Sequence, residues 1–140
     1  MLTAKRLQPI QTLSEQREDA AAAALTEARK VLAQRESQLR DLLNYREPVS
    51  SFTNVEMLRN REAFRAKLGE AIVQQQRVIE QQKRVVEQQR LKWLASHQQT
   101  QLYDKLAERS IHHEQQRLER RAQRDLDELA LRNAQGGTSS

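Results

Sequence analysis

Histidines are the first residues to test for chemistry, and this sequence has three: His97, His112 and His113. A transition metal needs ligands that converge, which on a helix means a spacing of i, i+4. His112 and His113 are adjacent, so on a helix they diverge by about 100° and cannot share a metal. His97 stands alone among glutamines, and all three read as surface histidines. No cysteine is present to supply a disulfide, a thiolate ligand or a nucleophile. The glycines Gly69, Gly136 and Gly137 build no loop of the kind that cradles phosphate between a strand and a helix. Carboxylates are scattered throughout, but acid–base catalysis needs a pocket that desolvates one of a pair and separates their pKa values. The sequence promises no such pocket. The protein is expected to be non-enzymatic, with neither cofactor nor metal.

Composition indicates which elements must carry whatever binding there is. Of 140 residues, 37% are hydrophobic, 31% charged and only 4% aromatic, with three glycines and two prolines. Mean hydropathy is −0.90, and glutamine alone contributes nineteen residues. A globular core of this length draws on aromatic and branched side chains, and a sheet protein needs more turn residues than these. Ala, Leu, Glu, Gln, Arg and Lys dominate, and all are strong helix formers. An elongated helical protein with little interior remains. The first ten residues lack the apolar stretch of a secretory signal, and the run Ala20 to Ala24 with Leu25 is far below the roughly 18 residues of a membrane span. Without cysteine a reducing compartment is permitted, and a cytoplasmic location is expected.

One break divides the chain. Pro48 cannot continue a helix, and it biases Glu47 away from helical geometry. Thr53-Asn54-Val55-Glu56 then fits a capping box. These signals predict helix 1 over about 5–46, a turn over about 47–53, helix 2 over about 54–133, and a disordered tail over 135–140, with residues 1–134 forming a single unit. At about 1.5 Å per residue the helices would span roughly 60 and 120 Å. Leu7, Ile10, Ala21, Ala24, Ala28, Val31, Leu42 and Tyr45 recur at helical spacing in helix 1, widened by Leu25, Leu32 and Leu39. Helix 2 carries Phe64, Leu68, Ile72, Ile79, Val86 and Trp93, with Gln75, Gln82 and Gln89 between them. Apolar residues at one heptad position and glutamine at the other describe a coiled coil of modest stability. A short connection makes the helices antiparallel neighbours. The fold predicted is an all-α, two-helix antiparallel coiled-coil hairpin whose longer second helix overhangs at its C-terminal end.

The overhang is informative. Helix 1 is expected to run out where helix 2 reaches roughly 95–105, with Trp93 and Tyr103 closing that end. Beyond it, Leu102, Leu106, Ile111, Leu118, Ala122, Leu126 and Leu129 have no intramolecular partner. Such a stripe marks either a partner surface or a charge-laced helix held by i, i+4 pairs. Net charge is +5, distributed as eight basic and seven acidic residues over 1–47, nine and five over 48–98, and seven and seven over 99–140. Nucleic-acid proteins favour a one-signed stripe, which this mixture is not.

Helix 1 ends on Gln38-Leu39-Arg40-Asp41-Leu42-Leu43-Asn44-Tyr45, and helix 2 opens with Asn60-Arg61-Glu62-Ala63-Phe64-Arg65-Ala66-Lys67-Leu68-Gly69-Glu70-Ala71-Ile72. Lys92-Trp93, Lys105-Leu106-Ala107-Glu108-Arg109 and Asp125-Leu126-Asp127-Glu128-Leu129-Ala130 follow. In their order and separations over residues 5–132 these segments resemble the FliJ family, the small coiled-coil component of the bacterial flagellar type III export apparatus. Val49 departs from it, since some members have a second aromatic there.

The resemblance implies a stalk-like protein, similar to the stalk subunit of rotary ATPases, that works through partners. These would be the hexameric flagellar export ATPase, the cytoplasmic domain of the export-gate membrane protein, and export chaperones, at the inner-membrane export apparatus and without a membrane span. By motif, Gln38, Leu42, Tyr45, Phe64, Leu68, Ala71 and Gln75 would face the gate. Arg109, Arg117, Leu118, Arg120, Arg121, Arg124, Leu126 and Leu129 would meet the ATPase ring. Three rivals stay open: the equivalent stalk of a virulence secretion system, a basic coiled coil that binds nucleic acid, and a structural dimer. No nucleic acid is expected, because the charge is balanced.

Overall fold

The computed structural model describes residues 3–46 and 55–136. Two helices account for nearly all of these: α1, Ala4–Asn44, and α2, Val55–Gly136, with no strand among the described residues. This is the all-α helical hairpin read from the sequence, with 41 residues in α1 and 82 in α2. Pro48, Val49 and the cap residue Thr53 lie outside the described residues. At the far end α2 includes Gln135 and Gly136, which the sequence had assigned to a tail. Gly136 keeps a negative φ, so the helix continues through it without strain.

The start of α1 rests on a cap that the sequence reading overlooked. Thr3 Oγ1 accepts from the Arg6 amide at 3.3 Å, and the Thr3 carbonyl accepts from the Leu7 amide at 3.0 Å. That satisfies donors a helix start would otherwise leave open. Pro9 sits inside α1, six residues into the helix, where its missing N–H removes one ladder bond from an exposed turn. The other end of α1 tightens: the Tyr45 and Arg46 amides donate to the Leu42 and Leu43 carbonyls at 3.2 and 3.1 Å. Such i→i+3 bonds are usual where a helix runs out.

The chain divides into two compact units. In the unit Glu18–Ser96, Leu25, Ala28, Ile72 and Ile79 are buried. Glutamines complete the seam. Gln75 Nε2 donates to the Arg35 carbonyl at 2.9 Å and to Gln38 Oε1 at 3.1 Å, and Gln82 Nε2 donates to the Ala28 carbonyl at 2.9 Å. From Gln75 to Gln82 is one heptad up α2, and from Arg35 to Ala28 one heptad down α1, as an antiparallel pair demands. A helical carbonyl has a second lone pair free for this, and at Ala28 the neighbouring side chain is only a methyl. The ion pairs Arg90–Glu87 and Lys83–Glu80, at 2.7 and 3.3 Å, lie on the exposed side. The hydrogen bond from Arg90 holds the Glu87 carboxyl below its usual range and raises Arg90. The small stability this adds is present at neutral pH and lost as pH falls through the lowered Glu87 value.

In the unit Met1–Arg17 with His97–Ser140, Leu7 and Ala107 are buried beside two hydroxyl residues, Ser14 and Thr100. Ser14 Oγ and Thr100 Oγ1 lie 2.9 Å apart, and Thr100 Oγ1 also donates to the Ser14 carbonyl at 3.3 Å. Gln11 Nε2 donates to Asp104 Oδ1 at 3.1 Å. Ala4 and Lys5 border a groove with Ala107, Glu108 and Ile111. The start of α1 therefore meets residues 104–111, further along α2 than the expected 95–105, because the register marked by the Gln11–Asp104 and Ser14–Thr100 bonds carries residues 4 and 5 to 107–111. Trp93, expected beside that end, belongs to the unit Glu18–Ser96, which contains no residue before Glu18.

The buried hydroxyl pair yields a test. Removing one partner strands a buried polar group, whereas replacing both with apolar groups of similar shape does not. Thr100→Val takes away the partner of Ser14 Oγ and should lower stability by about 1 kcal/mol. Ser14→Ala should cost less because Thr100 Oγ1 keeps its bond to the Ser14 carbonyl, and the double variant should be no worse than Thr100→Val alone. Additive losses in thermal denaturation would contradict this account.

Candidate functional site

The turn-proximal part of α1 and the first turns of α2 enclose a cavity of about 320 Å³. Tyr45 and Phe64 line it and are 62% and 51% exposed, with Leu68 and the buried Ile72 below them. The tightened last turn of α1 fixes where Tyr45 and Arg46 leave the helix. On α2, Arg61, Phe64, Arg65, Leu68 and Ile72 recur at three- and four-residue spacing, which puts them on one side of the helix.

Of the residues assigned to the gate-facing set, the cavity thus collects Tyr45, Phe64 and Leu68. Gln38 and Gln75 are joined by their own hydrogen bond across the seam, and Leu42 is half-buried. Ala71 is exposed and does not line the cavity. Three arginines that line it, Arg46, Arg61 and Arg65, were not singled out from the sequence. Their signal was present: Arg61 and Arg65 flank Phe64 at i−3 and i+1. Gly69 lies at the same cavity, and a Cβ added there would meet nothing within 4 Å.

The second surface is α2 beyond the end of its intramolecular contacts. Every residue from 111 to 136 is exposed. Ile111, Leu118 and Leu129 share one face with Ala122, by their spacing of seven, four and seven, and Leu126 flanks it. Leu118, Leu126 and Leu129 are 54–60% exposed and uncovered by α1, and Ile111, at the groove with Ala4 and Lys5, is 47% exposed. At about 100° per residue, Arg109, Arg117, Arg120 and Arg124 fall on the far side of the helix from that stripe, with Arg121 on its flank. At the same 100° per residue, the buried Thr100 and Ala107 fall within about 40° of Ile111 and the half-buried Ser110 about 100° from it, so the stripe continues along one edge of the face that packs on α1.

His112 and His113 border an open groove with Leu7, Leu106 and Arg109, and the His112 Nε2 lies 3.1 Å from Gln116 Nε2. Among the described residues no group of three or more His, Asp or Glu could hold a metal ion. No helix among them is long and apolar enough to cross a membrane.

Open grooves, exposed aromatics and an uncovered apolar stripe on a two-helix scaffold define a coiled-coil interaction protein. The chain belongs to the flagellar FliJ protein family, whose model matches residues 3–139. No curated protein and no solved structure matches it. Family membership points to a component of the flagellar export apparatus.

Gly69 supplies a stability prediction. A glycine in a helix interior costs about 1 kcal/mol relative to alanine, and nothing in the structure obstructs a methyl here. Gly69→Ala should therefore raise the unfolding free energy by about 0.5–1 kcal/mol in chemical denaturation. A loss of stability would mean that this stretch of α2 is packed differently.

Proposed function

We propose that this protein is a stalk-like part of the flagellar export apparatus that binds the hexameric export ATPase through residues 109–129 of α2. At the cavity of Tyr45 and Phe64 it engages the cytoplasmic domain of the export-gate membrane protein. It promotes ATPase assembly and turnover and helps escort export chaperones, at the cytoplasmic face of the inner membrane and without catalysis of its own.

The observation that carries this reading is the uncovered stretch of α2 in a chain that matches the family from end to end. A helix with leucines on one side and arginines on the other offers complementary surface in several directions at once. That suits a partner which surrounds it, as a ring does, better than one which docks on a single side. Leu118, Leu126 and Leu129 would pack there, while Arg109, Arg117, Arg120, Arg121 and Arg124 meet acidic groups. At the cavity, Tyr45 and Phe64 supply the aromatic surface that binding hot spots favour.

Leu118→Gln, Leu126→Gln and Leu129→Gln combined in the full chain should leave the melting temperature unchanged, because all three side chains are more than half exposed. Stimulation of the purified export ATPase should fall by about tenfold or more, the loss expected when hot-spot leucines are removed. Full stimulation by this variant would overturn the ATPase assignment. Tyr45→Ala with Phe64→Ala should retain helicity and lose binding to the gate's cytoplasmic domain; wild-type affinity would overturn the gate assignment.

A further inference from the structure

The cavity at Tyr45 and Phe64 has a one-sided charge. Arg46, Arg61 and Arg65 line it, and among the described residues no aspartate or glutamate does. Elsewhere the surface mixes its signs, and the ion pairs Lys83–Glu80 and Arg90–Glu87 lie apart from this place. Neither Arg46 nor Arg65 forms an ion pair with a described residue. The aromatic rings beside them stand more than half exposed, although each is a large apolar surface. Guanidinium groups favour carboxylates, which they grip in a two-pronged, charge-assisted geometry, and such bonds strengthen once neighbouring apolar groups exclude water.

Gly69 adds a second, independent observation. Its missing side chain serves no internal packing, since a Cβ would meet only open space. The helix bears the propensity cost of a glycine there and gains nothing inside the molecule. What the glycine does provide is a lowered wall on the cavity, where an incoming side chain can approach the backbone of α2 beside Leu68.

We infer that this cavity receives an acidic segment of a partner protein, one apolar or aromatic side chain of which seats over Phe64 and Leu68 against Gly69 while neighbouring carboxylates pair with Arg46 and Arg65. This rests on the reading of the cavity as the gate-binding site, and it specifies what the gate must contribute. Arg61 adds to the positive field. Charge sets the orientation and the association rate, and the aromatic floor supplies the dry contact.

The test uses the full chain and the purified cytoplasmic domain of the gate, titrated by calorimetry at low and at high salt. Arg46→Gln with Arg65→Gln should weaken binding by about tenfold at low salt and flatten its salt dependence, with Arg46→Lys and Arg65→Lys restoring part of both. Tyr45→Ala with Phe64→Ala should weaken binding at every salt concentration and leave any residual salt dependence in place. If the arginine variant binds as tightly as wild type with the same salt response while the aromatic variant fails, the acidic-segment inference is overturned and the gate site stands. If the aromatic variant binds normally, the gate reading falls and the inference with it. Capture of a labelled single-stranded oligonucleotide by the wild-type chain, lost in the arginine variant, would also overturn it in favour of phosphate recognition.

Discussion

The reach of glutamine amides from α2 to the backbone of α1 is the constraint on which the rest depends. An apolar seam this thin does not by itself dictate how two helices align, because alanine, leucine and valine pack almost equally well after a slip of one heptad. A donor that must find a particular carbonyl is less forgiving. Gln75 on Arg35 and Gln82 on Ala28 fix an antiparallel register within their unit, and a slip would leave both amides and their acceptors to be matched afresh. Polar residues at seam positions commonly trade stability for such specificity. The Ser14–Thr100 pair serves the same end in the other unit, where two hydroxyls occupy buried seats that apolar groups of the same shape could fill.

Function follows from what this economy leaves over. With eight residues truly buried among those described, the scaffold uses few of its apolar side chains on itself. Among those that remain, two groups stand together: two aromatics with three arginines at one cavity, and a leucine stripe along the end of α2. Each unit of the fold thus holds one uncovered surface of distinct chemistry. On the proposed reading, burial missing from the monomer becomes available when a partner covers these surfaces.

Much of this was legible in the sequence because helices advertise themselves by period and composition. The hairpin followed from Pro48 and the heptads. The stripe at Ile111, Leu118, Ala122 and Leu129 followed from spacing alone. What escaped notice involved backbone partners and three-dimensional neighbours. The Thr3 cap was missed because a lone threonine without a glutamate three residues later gives only half of a capping signal. Gln75 and Gln82 were recognised as seam residues, but a carbonyl acceptor leaves no mark in the residue type that carries it. Arg46 and Arg65 join one cavity only once α1 and α2 are paired, and the meeting of α1 with residues 104–111 depends on a register that only cross-helix bonds such as Gln11–Asp104 and Ser14–Thr100 reveal.

On the proposed reading, the two uncovered surfaces serve two different partners. A photo-crosslinking residue placed at exposed Ala71, beside the aromatic cavity, and another at exposed Ala122, within the leucine stripe, would test that claim most directly in cells assembling flagella. The Ala71 probe is expected to capture the gate's cytoplasmic domain and the Ala122 probe the export ATPase. The same partner captured at both positions, or a second copy of this chain at Ala122, would contradict the account.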